Sequence, residues 1–337
     1  MKRRQSILAV LKVGPHRADS LRGMTSENAP VLPAMITANE IFARVDYRAA
    51  VRAVQNALLG GLDPAQDFAR QVLPVASGHL LLMPTEAPDF VGIKVASVAP
   101  GNPALGVERI QGVYLLLDAA TLTPVCLLDG AAITTLRTPA VSAAAGDYLA
   151  PATVEHLVVF GSGPQAWGHI EAMWAIRSIN RITIVARDQA RAELFAARVS
   201  ATGLPARVGI AADVATAQLI VCATTARTPL FDGSLVPDDC CVVAVGSHEA
   251  DARELDSALL SRAQVVVEDP ATALREAGDV IMALAEGVVR PGDLVPLREL
   301  VIGAIAVDLG RPRIFKSTGM SWEDLVIATA VHRAGEL

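Results

Sequence analysis

The sequence predicts an α/β protein in two parts: a mixed α+β unit first, then a parallel sheet covered by helices on both faces. Three observations predict it. Before residue 130, four strand-like runs separated by turn residues follow one another: HLLLMP (79–84), VGIKVASVAP (91–100), GVYLLLD (112–118) and PVCLLD (124–129). After residue 155 the runs turn apolar throughout and alternate with helical stretches, as strands buried on both faces do. Finally, 52% of the 337 residues are apolar and only 19% charged, enough for a large core.

Taken in order, residues 1–33 are polar and mixed, with Pro15, Pro30 and Pro33 but no sustained periodicity, and read as a loose extension. The opening MKRRQSILAVLKVG has a basic lead but too short an apolar core for a signal peptide, so a cytoplasmic location is expected. From Thr37, TANEIFARVDYRAAVRAVQNALLGG predicts one helix that stops at Gly60-Gly61. The runs at 112–118 and 124–129, joined across AATLT, predict an antiparallel hairpin, and 128–150 turns helical and rich in small residues. In the second half HLVVF (156–160), RITIVA (181–186), QLIVCAT (218–224), CCVVAVG (240–246) and QVVVED (264–269) are buried strands. Helices are expected over 165–178 and 191–200, and again in the tail SWEDLVIATAVHRA. The expected division is 34–137 with 317–337 as the α+β unit and 138–316 as the parallel-sheet unit.

Composition narrows the function. A net charge of −6 speaks against nucleic acid as a partner, and no stretch approaches the ~20 apolar residues of a membrane span. Cys126, Cys222, Cys240 and Cys241 form no CxxC pair and have no histidines at zinc spacing. They read as small buried hydrophobes, and no metal site is expected. Of 29 basic residues only four are lysine: Lys2, Lys12, Lys94 and Lys316. A chain that writes its cations as arginine keeps two lysines in its folded body, where a compact ammonium does what a guanidinium does not. Lys94 lies between Ile93 and Val95 in a strand, so alternation turns its side chain to the opposite face from theirs.

The loop Gly161-Ser162-Gly163-Pro164-Gln165-Ala166 follows the first parallel strand and opens a helix. It is the G-x-G-x-x-A form of the dinucleotide fingerprint, which makes the second unit Rossmann-type. Gly161 permits the tight turn, Gly163 lets a pyrophosphate approach the backbone, and Ala166 allows close helix–strand packing. At the end of the second strand stands Ala186-Arg187-Asp188. The acid comes late for a ribose hydroxyl and Arg187 suits a 2′-phosphate, so NADP(H) is favoured and NAD(H) is the alternative.

Four segments carry a resemblance: GIKVASVAPGNPALG (92–106), QGVYLLLDAATLTPVCLLDGAAITTLRT (111–138), VFGSGPQAWGHIEA (159–172) and FKSTGMSWEDL (315–325). In this order they resemble the ornithine cyclodeaminase/μ-crystallin family across nearly the whole chain after residue 35. The resemblance implies a homodimer built through the α+β unit and a substrate site in the cleft between the two units. It also implies that Arg70, Lys94 and Arg137 grip a substrate carboxylate. By the same resemblance Thr138 and the 161–166 loop contact the cofactor, and Thr224, Val245 and Lys316 lie in segments near the nicotinamide. Where ornithine cyclodeaminases are expected to carry an aspartate after V-G-G, this sequence has His248. Imidazole does not replace a carboxylate as counter-ion to an ammonium, so the ketimine reductase members are the closer match.

The resulting expectation is reduction of a small cyclic ketimine carboxylate, Δ1-pyrroline-2-carboxylate or Δ1-piperideine-2-carboxylate, to L-proline or L-pipecolate. Lys94 or His248 would keep the imine nitrogen protonated. An amino-acid cyclodeaminase or dehydrogenase is the same-family alternative. A non-catalytic, NADP-dependent small-ligand-binding protein is the alternative of another class.

Overall fold

The computed structural model describes residues 33–336, and the expected loose extension at 1–33 lies almost wholly outside them. Two large sheets carry the architecture. The first orders its strands β1-β6-β5-β4-β3-β2, from β1 (Ala34–Ile36), β2 (Gln71–Val75), β3 (Gly78–Glu86), β4 (Phe90–Val98), β5 (Ile110–Asp118) and β6 (Pro124–Asp129). It is antiparallel except where β1 lies parallel to β6. The hairpin read from the sequence is β5–β6.

The expected single helix from Thr37 is two: α1 (Ala38–Arg44) and α2 (Tyr47–Leu59). Asp46 makes the break, because its carboxylate accepts from Ala49 N at 2.7 Å and caps α2. The small-residue stretch becomes α3 (Gly130–Leu149), started by Asp129, which accepts from the backbone N–H of Ala131 and Ala132. The expected division at 137/138 falls inside α3, which runs unbroken across it and packs on strands of both sheets.

The second sheet is wholly parallel. Its strands are β8 (Leu157–Phe160), β10 (Ile182–Val185), β11 (Ala206–Val208), β12 (Leu219–Cys222), β13 (Cys241–Ala244), β14 (Gln264–Val267), β15 (Leu294–Pro296) and β16 (Arg313–Lys316). A separate pair is formed by β7 (Thr153–Val154) and β9 (Ser178–Ile179). The spatial order β11-β10-β8-β12-β13-β16-β14-β15 reverses direction between β8 and β12, where doubly wound sheets open a crevice. Helices α4 (Pro164–Ile176) and α5 (Gln189–Ser200) connect the first strands. The helices α6 (Ser257–Leu260), α7 (Pro270–Glu276), α8 (Gly278–Ala285) and α9 (Leu297–Val301) follow, and α10 (Ser321–Ala334) closes the chain. Sequence reading missed β1, β2, β11, β15 and β16, each five residues or fewer and too short to show a period of two.

Register decides where chemistry gathers. Val185, Phe160, Cys222, Ala244, Lys316 and Val267 stand side by side as one row of strand ends. The residues that follow them therefore share one rim, about 24 Å from end to end at the usual strand spacing. All four cysteines are buried and unbridged. Among the described residues no helix is long and apolar enough to cross a membrane.

Candidate active site

Two groups of residues meet the requirements of a site, and the rim joins them. Gly161 has φ +116°, and a Cβ there would stand 2.5 Å from the carbonyl oxygen of Ala223, so only glycine turns the chain here. Gly163 precedes the first turn of α4, and a Cβ on it would meet nothing within 4 Å. That open side is where a phosphate would lie. No side chain among the described residues caps α4, so its first backbone N–H groups remain directed outward, and Gln165 Oε1 beside them is buried with no hydrogen-bond partner among those residues. Ala166 is fully buried against the turn, 3.8 Å from the position of a Gly161 Cβ. Ser162 and Pro164 complete the loop at its surface. Arg187 is exposed and forms no ion pair among the described residues, whereas Asp188 is occupied in accepting from Arg191 N, capping α5. These residues fit a dinucleotide.

At the other end of the rim the side chains come from three elements. Lys94 on β4 is 3% exposed, on the opposite face from Val95, as alternation predicts. Its ammonium donates to Asp324 Oδ1 at 2.8 Å, Asp324 Oδ2 at 2.7 Å and Thr134 Oγ1 at 3.2 Å. One turn along α3 from Thr134 stands Arg137, 6% exposed, with Thr138 beside it. Arg137 Nη1 donates to Glu323 Oε2 at 2.6 Å. Its Nε lies 3.3 Å from Asp324 Oδ1 but is not directed at it, and this buried Nε has no hydrogen-bond partner among the described residues. The guanidinium rests against Gly319, where a Cβ would come within 2.3 Å of Nη1.

Arg70, just before β2, pairs with Glu276 Oε2 at 3.0 Å and donates to the carbonyls of Thr318 and Gly319. It also lines a cavity of about 110 Å³ with Asp67, Thr272 and Ser321.

Burial governs the electrostatics. Desolvation pulls the Lys94 ammonium down to about 8, against the attraction of Asp324, so it still carries its proton at neutral pH. Desolvation drives Glu323 well above the usual carboxylate range, while Glu268 ends below it because it is surrounded by donors. His248 reaches solvent, yet the surrounding protein and the Arg70 cation hold its pKa below the ordinary histidine value.

The side chain of Lys316 is fully buried, and its three protons go to the carbonyls of Ser247 (2.6 Å), Ser317 (2.9 Å) and Ala244 (3.3 Å). It ties the ends of β13 and β16 together. Thr224 and Val245 are half-buried on the rim; the Thr224 hydroxyl donates to Glu254 Oε1 at 2.7 Å. Glu254 also accepts from Thr224 N and Gly246 N, and so joins the ends of β12 and β13.

Sequence reasoning missed Glu254, Glu268, Glu323 and Asp324. The available signal was the pair Glu323-Asp324 inside WEDLVIATAV, two acids opening an otherwise apolar helix.

Fold and rim together define a doubly wound, dinucleotide-binding α/β protein with a chamber of buried cations and carboxylates beside the cofactor crevice. The chain belongs to the ornithine cyclodeaminase/mu-crystallin family, whose model matches residues 33–335. It is 34% identical over 273 residues to Delta(1)-pyrroline-2-carboxylate reductase of Bacillus cereus, covering 77% of this chain and 83% of that one. To Delta(1)-pyrroline-2-carboxylate/Delta(1)-piperideine-2-carboxylate reductase of Azospirillum brasilense it is 34% identical over 280 residues, 79% and 86% of the two chains. Its fold is similar to that of Thermococcus litoralis Delta(1)-pyrroline-2-carboxylate reductase, solved with NADH and L-proline, with a TM-score of 0.85 and 27% identity over 90% of this chain and 97% of that one.

Proposed function

We propose that the protein is an NAD(P)H-dependent oxidoreductase that reduces a cyclic ketimine carboxylate, Δ1-pyrroline-2-carboxylate or Δ1-piperideine-2-carboxylate, to L-proline or L-pipecolate. The observation that carries this reading is Arg137, a buried guanidinium whose buried Nε has no hydrogen-bond partner among the described residues. A buried donor without an acceptor is costly, and a carboxylate matches the planar fork. Arg70 and Lys94 converge on the same place from other elements and complete the grip. The named relatives in Bacillus cereus and Azospirillum brasilense support the same chemistry.

The α+β part, 34–137 with 317–337, supplies these cations, and 138–316 supplies the cofactor loop. Gly161, Gly163 and the uncapped start of α4 would hold the pyrophosphate, with Gln165, Thr138, Thr224 and Val245 lining the path toward the nicotinamide end. A bound nicotinamide supplies the hydride. The chain's own work is orientation: Arg137 and Arg70 hold the carboxylate so that the C=N carbon faces the rim. Lys94, protonated at pH 7, keeps the imine nitrogen charged. His248, largely neutral at pH 7, orders water at the mouth. The exposed, unpaired Arg187 and the occupied Asp188 favour NADP(H) over NAD(H).

The partner is a second copy of the chain. On the outer face of the first sheet Pro84, Ile93, Leu115, Leu127 and Met35 lie in one cross-strand row, with Leu82, Val95 and Val113 in the next. Such a contiguous apolar face suits a homodimer interface.

The test is NADPH oxidation, followed by absorbance, with each cyclic imine. Rapid oxidation with at least one is expected. No oxidation with either, or release of ammonia from ornithine instead, would overturn the reading.

A further inference from the structure

The chamber holds more acid than an anion-binding site should tolerate. Around Lys94 and Arg137 lie three carboxyl groups, Asp324 and Glu323 from α10 and Glu268 from the end of β14, each at most 3% exposed. With all three ionised they would outnumber the two cations and repel a carboxylate. Geometry separates their roles. Asp324 takes two hydrogen bonds from Lys94. Glu268 accepts from Ser317 Oγ at 2.6 Å, Gly319 N at 2.9 Å, Thr318 N at 2.8 Å and Thr318 Oγ1 at 3.2 Å, an arrangement made for an anion. Among the described residues Glu323 accepts from Met320 N at 3.0 Å and Arg137 Nη1 at 2.6 Å, and because Glu268 and Glu323 accept from the consecutive backbone N–H groups of Gly319 and Met320, their carboxyl groups are set side by side. Two buried carboxyl groups so placed require a proton between them.

We propose that Glu323 and Glu268 share one proton, held on Glu323, and that Glu323 is thereby the positioning residue that orients Arg137 without cancelling its charge. The chamber then carries two cations and two anions, and Arg137 stays attractive to an incoming carboxylate. The groups facing the pair are Arg137 on α3 and Asp324 on α10; Lys94 on β4 lies behind Asp324, and Arg70, held by Glu276 of α7, stands at Gly319. Burial raises Glu323 and the donors around Glu268 lower it, in the same sense. The effect on catalysis rests on the proposed ketimine carboxylate reading; the shared proton does not.

The test uses Glu323→Gln, Glu268→Gln and the double variant, read by the KM for the cyclic imine, by kcat, and by the Kd of pyrrole-2-carboxylate in the presence of NADPH. Glu323→Gln replaces a neutral acid with a neutral amide, and its effect on KM and Kd should be smaller than that of Glu268→Gln. Glu268→Gln removes a negative charge yet should weaken anion binding on the order of tenfold, because Glu323 then ionises against Arg137. Adding Glu323→Gln to it should restore binding, with kcat following less than KM throughout. Simple charge removal predicts tighter binding in Glu268→Gln, and a merely structural role predicts no rescue in the double variant; either result overturns the proposal. Infrared spectra of the ligand-free protein supply a readout independent of turnover. A protonated-carboxyl C=O band present in the wild type and lost in Glu323→Gln is expected, and its absence from the wild type refutes the shared proton even if the reductase reading stands.

Discussion

Replacing Lys94 with methionine separates its contribution to catalysis from its contribution to folding. The substitution keeps the length of the side chain and removes the ammonium, so Asp324, fully buried, loses both of its short hydrogen bonds. Breaking a buried pair from one side costs about 3–5 kcal/mol. The low end applies because Arg137 Nε remains 3.3 Å from Asp324 Oδ1. A loss of about 3 kcal/mol should lower the melting temperature by roughly 4 °C in a protein of this size. The double variant Lys94→Met, Asp324→Leu leaves no unpaired charge and should recover at least about 2 kcal/mol. Activity should not follow. Both variants should lose a hundredfold or more in kcat/KM, about 3 kcal/mol of transition-state stabilisation, since neither keeps the ammonium that completes the grip and presents a proton to the imine. Urea unfolding and NADPH oxidation on the same preparations decide it. If the double variant regains activity together with stability, or the single variant keeps a tenth of the wild-type rate, Lys94 is structural and the mechanism is wrong.

Three further outcomes are expected. Arg187→Ala should weaken NADPH at least tenfold more than NADH, measured by KM for each; equal losses would remove the phosphate role of Arg187. The pH profile of kcat/KM should fall above about pH 8, because burial lowers the Lys94 pKa to that value and the protonated form is the active one. In that limb the rate drops about tenfold per pH unit, and a profile flat to pH 10 would exclude the lysine as the ionising group. Leu115→Arg places a charge in the middle of the apolar row on the outer sheet face and should yield monomers in sedimentation velocity while the wild type sediments as a dimer. A wild type that sediments as a monomer at micromolar concentration would refute the interface.

Some of the fold and site was legible because it is written locally. The Gly161–Ala166 turn shows in sequence because each position has its own requirement: a positive φ at Gly161, open space at Gly163, a small side chain at Ala166. Lys94 stood out because lysine is scarce in this chain and because strand alternation sets its direction. The break between α1 and α2 was in the sequence too, in Asp46, but the apolar spacing on either side of it concealed the cap. The contacts of Lys316 were hidden for the opposite reason. Its scarcity marked it, yet which atoms it meets depends on β16 entering the sheet between β13 and β14. Glu323 and Asp324 escaped notice because acids in the first turn of a helix are ordinarily solvated and favour the helix dipole.

The amino-acid order by itself determined the alternation of strands and helices, the dinucleotide turn and the direction of the Lys94 side chain in its strand. Each of these follows from backbone preferences and side-chain periods within a few neighbouring residues. Only the tertiary structure decided that Lys94 would meet Asp324, 230 positions away, and that Arg137 would face Glu323 and keep one edge unpaired. Charge pairing and desolvation act through space, and a residue's neighbours in space are set by how whole elements pack.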